Sequence, residues 1–479
     1  MEINDGSGRQ HTVIYVDDGK QCIFRVPKVL QKQNPDAYTP YVVSIGPFHH
    51  RRKVSKNEAT DHQEEDKEDK GKEYQLVERM KERYLNEVLS CTGITTLKEL
   101  TAKVIEISDQ KNDGPFQFEK DARDFYAEPL DYEPQYFNEM MVFDGCFLIQ
   151  LFRKCSDVQL RGGYDPLFNM DCMFHFLCHD LLLLENQLPW FVLETIYSLI
   201  LANSHSRPSH PLSILILDAF KHLPSLKHCD SYRNHLLHRH PHKKNWRGRV
   251  DYADVLHILD LMRDSVVVPI MMTEQTEKKP VQAILDPDVH EMHTATALSK
   301  AGISFRGFKA ETSIMDIQFE EGWLICNGVL NIPQLNVGML SESLFRNLIA
   351  FEQCYSGISN EITSYAVFMD NLISTQQDME LLCKEKVIGN WLSDEEGCKF
   401  FNNLYKGIPH TKFYYGPLCE KVQRRYEMNW YTYVASFKTQ KLSNPWAVLG
   451  FCTAIILLAL QLWNSTNSLR TFRKANNGF

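Results

Sequence analysis

The chain has 479 residues, 43% of them hydrophobic and 24% charged, enough to bury a sizeable core in one large domain or in two to three of average size. Its 52 Lys and Arg against 61 Asp and Glu leave a net charge of −9, which argues against a general polyanion binder while allowing a local basic patch. The 13 cysteines are odd in number, contain no C-x-x-C pair and lie mostly in apolar runs, which excludes a disulfide framework or a zinc-binding cysteine set and implies a reducing compartment.

The N-terminus "MEINDGSGRQ" is polar and lacks the apolar core of a signal peptide, so residues 1–21 read as a flexible extension. A structured segment follows over 22–50, in which "YTPYVVSIGPFHH" reads as extended chain between proline turns. Residues 51–73 are almost wholly polar, with "EEDKEDKGKE" at their centre, and form a solvated loop because nothing in them can be buried. Helices come next. "YQLVERMKERYLNEVL" sets Leu76, Met80, Tyr84 and Val88 four apart on one face. "EMMVFDGCFLIQLFRK" and "MDCMFHFLCHDLLLLEN" are apolar on most sides and are predicted to be central helices. Pro189 suits the first position of a further helix running to about Asn203, since the N–H it lacks is not needed there.

Residues 204–250 are polar, basic and rich in histidine, and read as a second loop. The basic stretch 233–249 could meet a nucleic acid, but no recognisable binding motif surrounds it, and histidines in a proline-broken loop lack the fixed geometry a metal requires. Further on, apolar runs at 303–305, 314–319, 324–326 and 329–332 are separated by Gly and Asn-Gly and predict a small antiparallel β element. Helices resume with "SLFRNLIAFEQCY" and "YAVFMDNLIS", and Ser393 with Glu396 has the capping-box spacing ahead of "GCKFFNNLY".

At the C-terminal end, "PWAVLGFCTAIILLALQLW" spans 445–463 without a charge, flanked by Lys438 and Lys441 and by Arg470, Arg473 and Lys474. As a helix it rises about 28 Å, near the ~30 Å of a hydrocarbon core, with Trp446 and Trp463 at its ends. It predicts one transmembrane helix binding the lipid bilayer, a single-pass placement in the plasma membrane or an endomembrane, a cytosolic body and a short tail over 464–479.

No Walker loop, G-x-G-x-x-G, G-x-S-x-G or H-E-x-x-H is present. The nearest constellation is Asp171, His175 and His179, spaced so that a helix stacks them on one face, with Asp180 and Glu185 close by. Two histidines four apart can share a metal, which a carboxylate could complete. Glu185, Asn186 and Gln187 lie between the end of one helix and the Pro189 that opens the next, where carbonyl and N–H groups are left unpaired. They favour a polar clip between helices; a metal site is the alternative.

The ordered pieces "CIFRVPKVL", "AYTPYVVSIGPFHH", "MVFDGCFLIQLF", "DLLLLENQLPWFVLE", "ATALSKAGISFR", "GVLNIPQLNV", "SLFRNLIAFEQCY" and "FMDNLIST" resemble a plant family, domain of unknown function 247, also called uncharacterised protein family 0481. The resemblance runs from about Cys22 to Trp463. It implies a mostly helical body over 22–440, a C-terminal membrane segment and no established enzymatic activity. Some members are associated with grass self-incompatibility as pollen-side recognition factors. Around Glu64 to Lys72 and over 235–249 the chain departs from the family pattern, both times in expected loops. Together these features predict a mainly α protein that acts through an unknown protein partner, with no cofactor. The rival is a metal-dependent hydrolase built on Asp171, His175 and His179 with Asp180 or Glu185.

Overall fold

The computed structural model describes residues 21–50, 75–110, 117–203, 210–221, 255–276, 292–309, 313–322, 328–338, 340–390, 393–406, 413–427 and 445–476, with 223, 232–234 and 236. After the segment 21–50 come α1 (Gln75–Thr92), α2 (Leu97–Gln110) and α3 (Pro134–Ser156). α4 (Asp171–Leu181), α5 (Trp190–Asn203), α6 (Leu212–Phe220) and α7 (Ile258–Thr276) follow. Beyond α8 (Ala295–Lys300) lie β1 (Ile303–Phe308), β2 (Gln318–Glu320), β3 (Gly328–Pro333) and β4 (Leu335–Val337). The chain then runs through α9 (Ser341–Cys354), α10 (Glu361–Leu372), α11 (Gln376–Lys384), β5 (Ile388–Asn390), α12 (Asp394–Asn403), α13 (Gly416–Glu427) and α14 (Pro445–Asn476).

The centre is α3. Glu133 caps its start by accepting the Tyr136 N–H, Pro134 stands at its first position, and Arg153 and Lys154 lie in its last turn, where the helix dipole favours cations. Its middle is buried nearly all round, from Met140 to Phe152, because α1, α2, α5 and α6 pack about it. Gly145 lets α5 come close: a Cβ there would stand 2.5 Å from Ile196 Cδ1. α1 buries Val77, Met80, Tyr84 and Val88, the stripe expected from their spacing, so propensity and tertiary packing agree.

A mainly helical body with small sheets is therefore what the sequence folds into, but several expected details change. The β element is mixed, not antiparallel. β3 pairs parallel with β1 from Ile303 opposite Gly328, antiparallel with β2, and β4 pairs parallel with β5. The connection over 309–327 is long enough to carry the chain back for a parallel pairing, which a tight hairpin is not. The run at 324–326 lies outside the described residues, as do the polar stretch 51–73 and nearly all of the basic stretch 233–249. Part of the expected loop 204–250 is a buried helix: α6 brings Leu212, Ile214, Ile216, Leu217 and Phe220 against the core. "MDCMFHFLCHDLLLLEN" ends its helix at Leu181, and Leu182 to Leu188 form a compact turn.

The expected membrane-crossing helix is overturned. Among the described residues no helix is long and apolar enough to cross a membrane. α14 does form, but its longest apolar run with described side chains, 454–460, stops at Gln461, and Asn464, Ser465, Thr466 and Asn467 continue the same helix. Those seven residues rise only about 10 Å, against the ~30 Å of a hydrocarbon core. The single-pass placement, whether at the plasma membrane or an endomembrane, falls with it.

Candidate functional site

The polar side chains of "HDLLLLENQLPW" converge with segment 21–50 on one buried hub. Asp180, at the C-terminal end of α4, accepts the N–H groups of Tyr41 at 2.8 Å, Val42 at 2.7 Å and Val43 at 2.8 Å. Its Oδ1 also meets His179 Nδ1 at 2.8 Å. Extended chain with no neighbouring strand carries unpaired N–H groups, and here one carboxylate satisfies three of them. Asn186 continues the row: its Oδ1 accepts the Ile45 N–H at 2.6 Å, while its Nδ2 donates to the carbonyls of Val43 and Asp180.

Glu185 takes the Val26 N–H at 2.8 Å, and Arg25 and His49 stand within 3.5 Å and 3.2 Å of its other oxygen. Gln187 donates to the carbonyls of Leu181 and Leu183, which the end of α4 leaves open, and accepts the Leu259 N–H of α7 at 3.0 Å. Asn347 on α9 reaches in from the far side, accepting the Leu184 N–H and donating to the Ala37 carbonyl. With Asn347, the four polar residues thus join the N-terminal segment, α4, α7 and α9. They are a clip of wider reach than one between two successive helices.

A second buried pair extends the hub. Lys81 of α1 donates to Asp144 Oδ1 at 2.8 Å and to the Ser44 carbonyl at 2.5 Å, and Asp144 Oδ2 accepts the Gly46 N–H at 2.9 Å. Burial pushes the Lys81 ammonium down, but Asp144 and Glu78 outweigh it and hold its pKa above the ordinary lysine value. Gly46 has φ +68°, and an added Cβ would stand 3.0 Å from the Gln187 carbonyl oxygen and 3.1 Å from the Tyr126 hydroxyl. Only glycine takes that backbone conformation at no steric cost while its N–H is aimed at Asp144.

The expected metal face is described only in part. Asp171 opens α4, and its side chain lies outside the described residues. His175 is half-buried, and burial, then the neighbouring His179, holds its pKa below the usual imidazole value. His179 is fully buried, with its ring stacked on Tyr41 at 4.0 Å between centroids. The structure brings His179 and Asp180 together but turns Glu185 to Val26. Among the described residues, no group of three His, Cys, Asp or Glu is placed to hold a metal. The arrangement can immobilise backbone. Burial pushes the thiols of Cys146 and Cys178 far above the ordinary range and that of Cys155 up to about 12, so they are unreactive packing groups.

Asp144, Lys81 and Asn347 belong to the hub and were not singled out from the sequence. Each left a signal. Asp144 is a lone carboxylate inside "MVFDGCFLIQLF", a run otherwise destined for burial, and Lys81 follows Met80 on the inward stripe of α1. A buried charge requires a partner, and these two are one another's.

A helical body whose N-terminal segment is stitched through buried side-chain clips to a central helix defines the structural class. A family model described as a plant protein of unknown function, DUF247, matches residues 23–460, and the chain belongs to that family. It is similar to UPF0481 protein At3g47200 of Arabidopsis thaliana, 28% identical over 98% of this chain and 92% of the relative. It is also similar to Putative UPF0481 protein At3g02645 of Arabidopsis thaliana, 23% identical over 91% of this chain and 88% of the relative. No solved structure matches the chain.

Proposed function

We propose that the helical body acts by protein–protein recognition and that the hub is its scaffold. The observation that carries this is the engagement of Asp180, Glu185, Asn186 and Gln187 with backbone groups. A metal-dependent hydrolase would need Asp180 to release the N–H groups it holds, at a cost of about 1–3 kcal/mol for each group orphaned. A recognition surface is available on the connection between α3 and α4, where Val158 and Tyr164 are 66% and 63% exposed. Beside it lies an open groove with Arg79, Arg83 and Arg153 in its walls. Tyrosine and arginine dominate the energetics of protein interfaces.

Proximity labelling in the native tissue tests the proposal. Val158→Ser with Tyr164→Ala should remove a defined set of labelled partners while leaving the melting temperature unchanged. An unchanged partner set, or a catalytic turnover that survives the double substitution and disappears with His175→Ala, would replace recognition by chemistry.

A further inference from the structure

We infer that the cavity enclosed by the end of α3, the start of α4 and α6 is a binding site for a small aromatic carboxylate. Its volume is about 420 Å³, within the roughly 300–1,000 Å³ of small-molecule sites. One wall is apolar: Phe168 and Phe174 stack with centroids 5.7 Å apart, and Met170 stands beside them. The same lining carries two cations. Arg161 lies 4.3 Å over the Phe168 ring, and its Nε and Nη2 donate to the carbonyls of Lys154 and Cys155, at 2.9 Å and 3.5 Å. Those bonds fix the guanidinium and leave Nη1 without an acceptor among the described residues.

Lys221, at the end of α6, adds a second cation, and no described residue pairs with it. Among the described lining residues the one carboxylate, Asp218, is already held by Arg233, Nε to Oδ1 at 3.0 Å and Nη2 to Oδ2 at 3.4 Å. Among the described residues, Arg161 and Lys221 therefore face the cavity with no carboxylate paired to either. A ligand complementary to this lining needs an anionic end for the two cations and a flat apolar body for the phenyl rings and Met170. Inorganic phosphate meets the first requirement alone, and a neutral arene meets the second alone.

Calorimetric titration of the full chain with naphthoate, naphthamide and inorganic phosphate separates these cases. Naphthoate should bind saturably, naphthamide at least ~10-fold more weakly, since a charge-assisted hydrogen bond is lost, and phosphate more weakly still. Lys221→Glu, at an exposed position with no structural partner among the described residues, should weaken naphthoate by ~10-fold or more with no change in melting temperature. Phe174→Ala should weaken both naphthalene probes alike. The site is refuted if naphthoate does not bind at millimolar concentration, if naphthamide or phosphate binds as tightly, or if Lys221→Glu leaves naphthoate binding unchanged.

Discussion

Removing the Asp180 carboxylate strands the N–H groups of Tyr41, Val42 and Val43 together with the Nδ1 of His179. Glu185→Ala strands chiefly the Val26 N–H. Each buried orphan costs about 1–3 kcal/mol, so Asp180→Ala should destabilise by roughly 3–5 kcal/mol and Glu185→Ala by about 1–3 kcal/mol in urea unfolding, a large share of the 5–15 kcal/mol typical of domains. Equal losses at the two positions would show that the segment 41–46 is not held as described. The Lys81–Asp144 pair gives a second measurement at this scale. Lys81→Met leaves a buried carboxylate, which costs about 3–5 kcal/mol, whereas Lys81→Met with Asp144→Leu removes both charges and should cost clearly less than the two single changes summed. The double variant still leaves the Gly46 N–H unpaired, so it should not reach the parent's stability.

At the scale of an element, α11 shows how one side chain sets a helix end and a tertiary contact together. Thr375 and Asp378 form a reciprocal capping box, and Asp378 also accepts the Thr296 N–H of α8 at 2.8 Å. Thr375→Ala should cost about 1 kcal/mol, the usual worth of an N-cap. Burial raises the Asp378 pKa, but the hydrogen bonds from Thr296 and Thr375 outweigh it and hold the carboxyl below its ordinary value. A carboxylate whose folded pKa is depressed contributes stability that is complete above its unfolded pKa of about 3.9 and is lost as pH falls through the folded value. The stability gap between the parent and Asp378→Asn should therefore be constant near neutral pH and close below about pH 4. A gap that widens in acid would reverse the sign and the assignment. Elements also differ in how openly the sequence announces them. The Ser393–Glu396 capping box is local and forms as its spacing indicates, whereas α6 hides in a polar, histidine-rich stretch because its nine residues are too short to outweigh their surroundings.

For the whole molecule, thermal melts with and without chelator distinguish a scaffold from a metal enzyme. The melting temperature should be the same in both, and His175→Ala should not alter that; a chelator-sensitive melt lost in His175→Ala would move the functional reading to α4. Residue types and their spacing determined by themselves the mainly helical class, the inward stripe of α1, the start of α5 beside Pro189 and the plant family, because helical periodicity and capping are written over a few consecutive residues. They also marked Asp180, Glu185, Asn186 and Gln187 as polar groups that burial would oblige to find partners. Which partners was decided only in three dimensions. Gln187 reaches Leu259 across 72 residues of sequence and Glu185 reaches Val26 across 159, and no local pattern encodes such a pairing. The parallel pairing of β1 with β3 has the same character, since strand direction depends on the path of the connection. The uncharged run 445–463 taught the complementary lesson: its composition announced a helix, and a helix formed, but crossing a bilayer requires an apolar length that no described helix supplies. Local chemistry thus named the elements and the residues in need of partners, and long-range closure of the chain decided who satisfies whom, because a buried hydrogen-bonding group is indifferent to sequence distance and sensitive only to geometry.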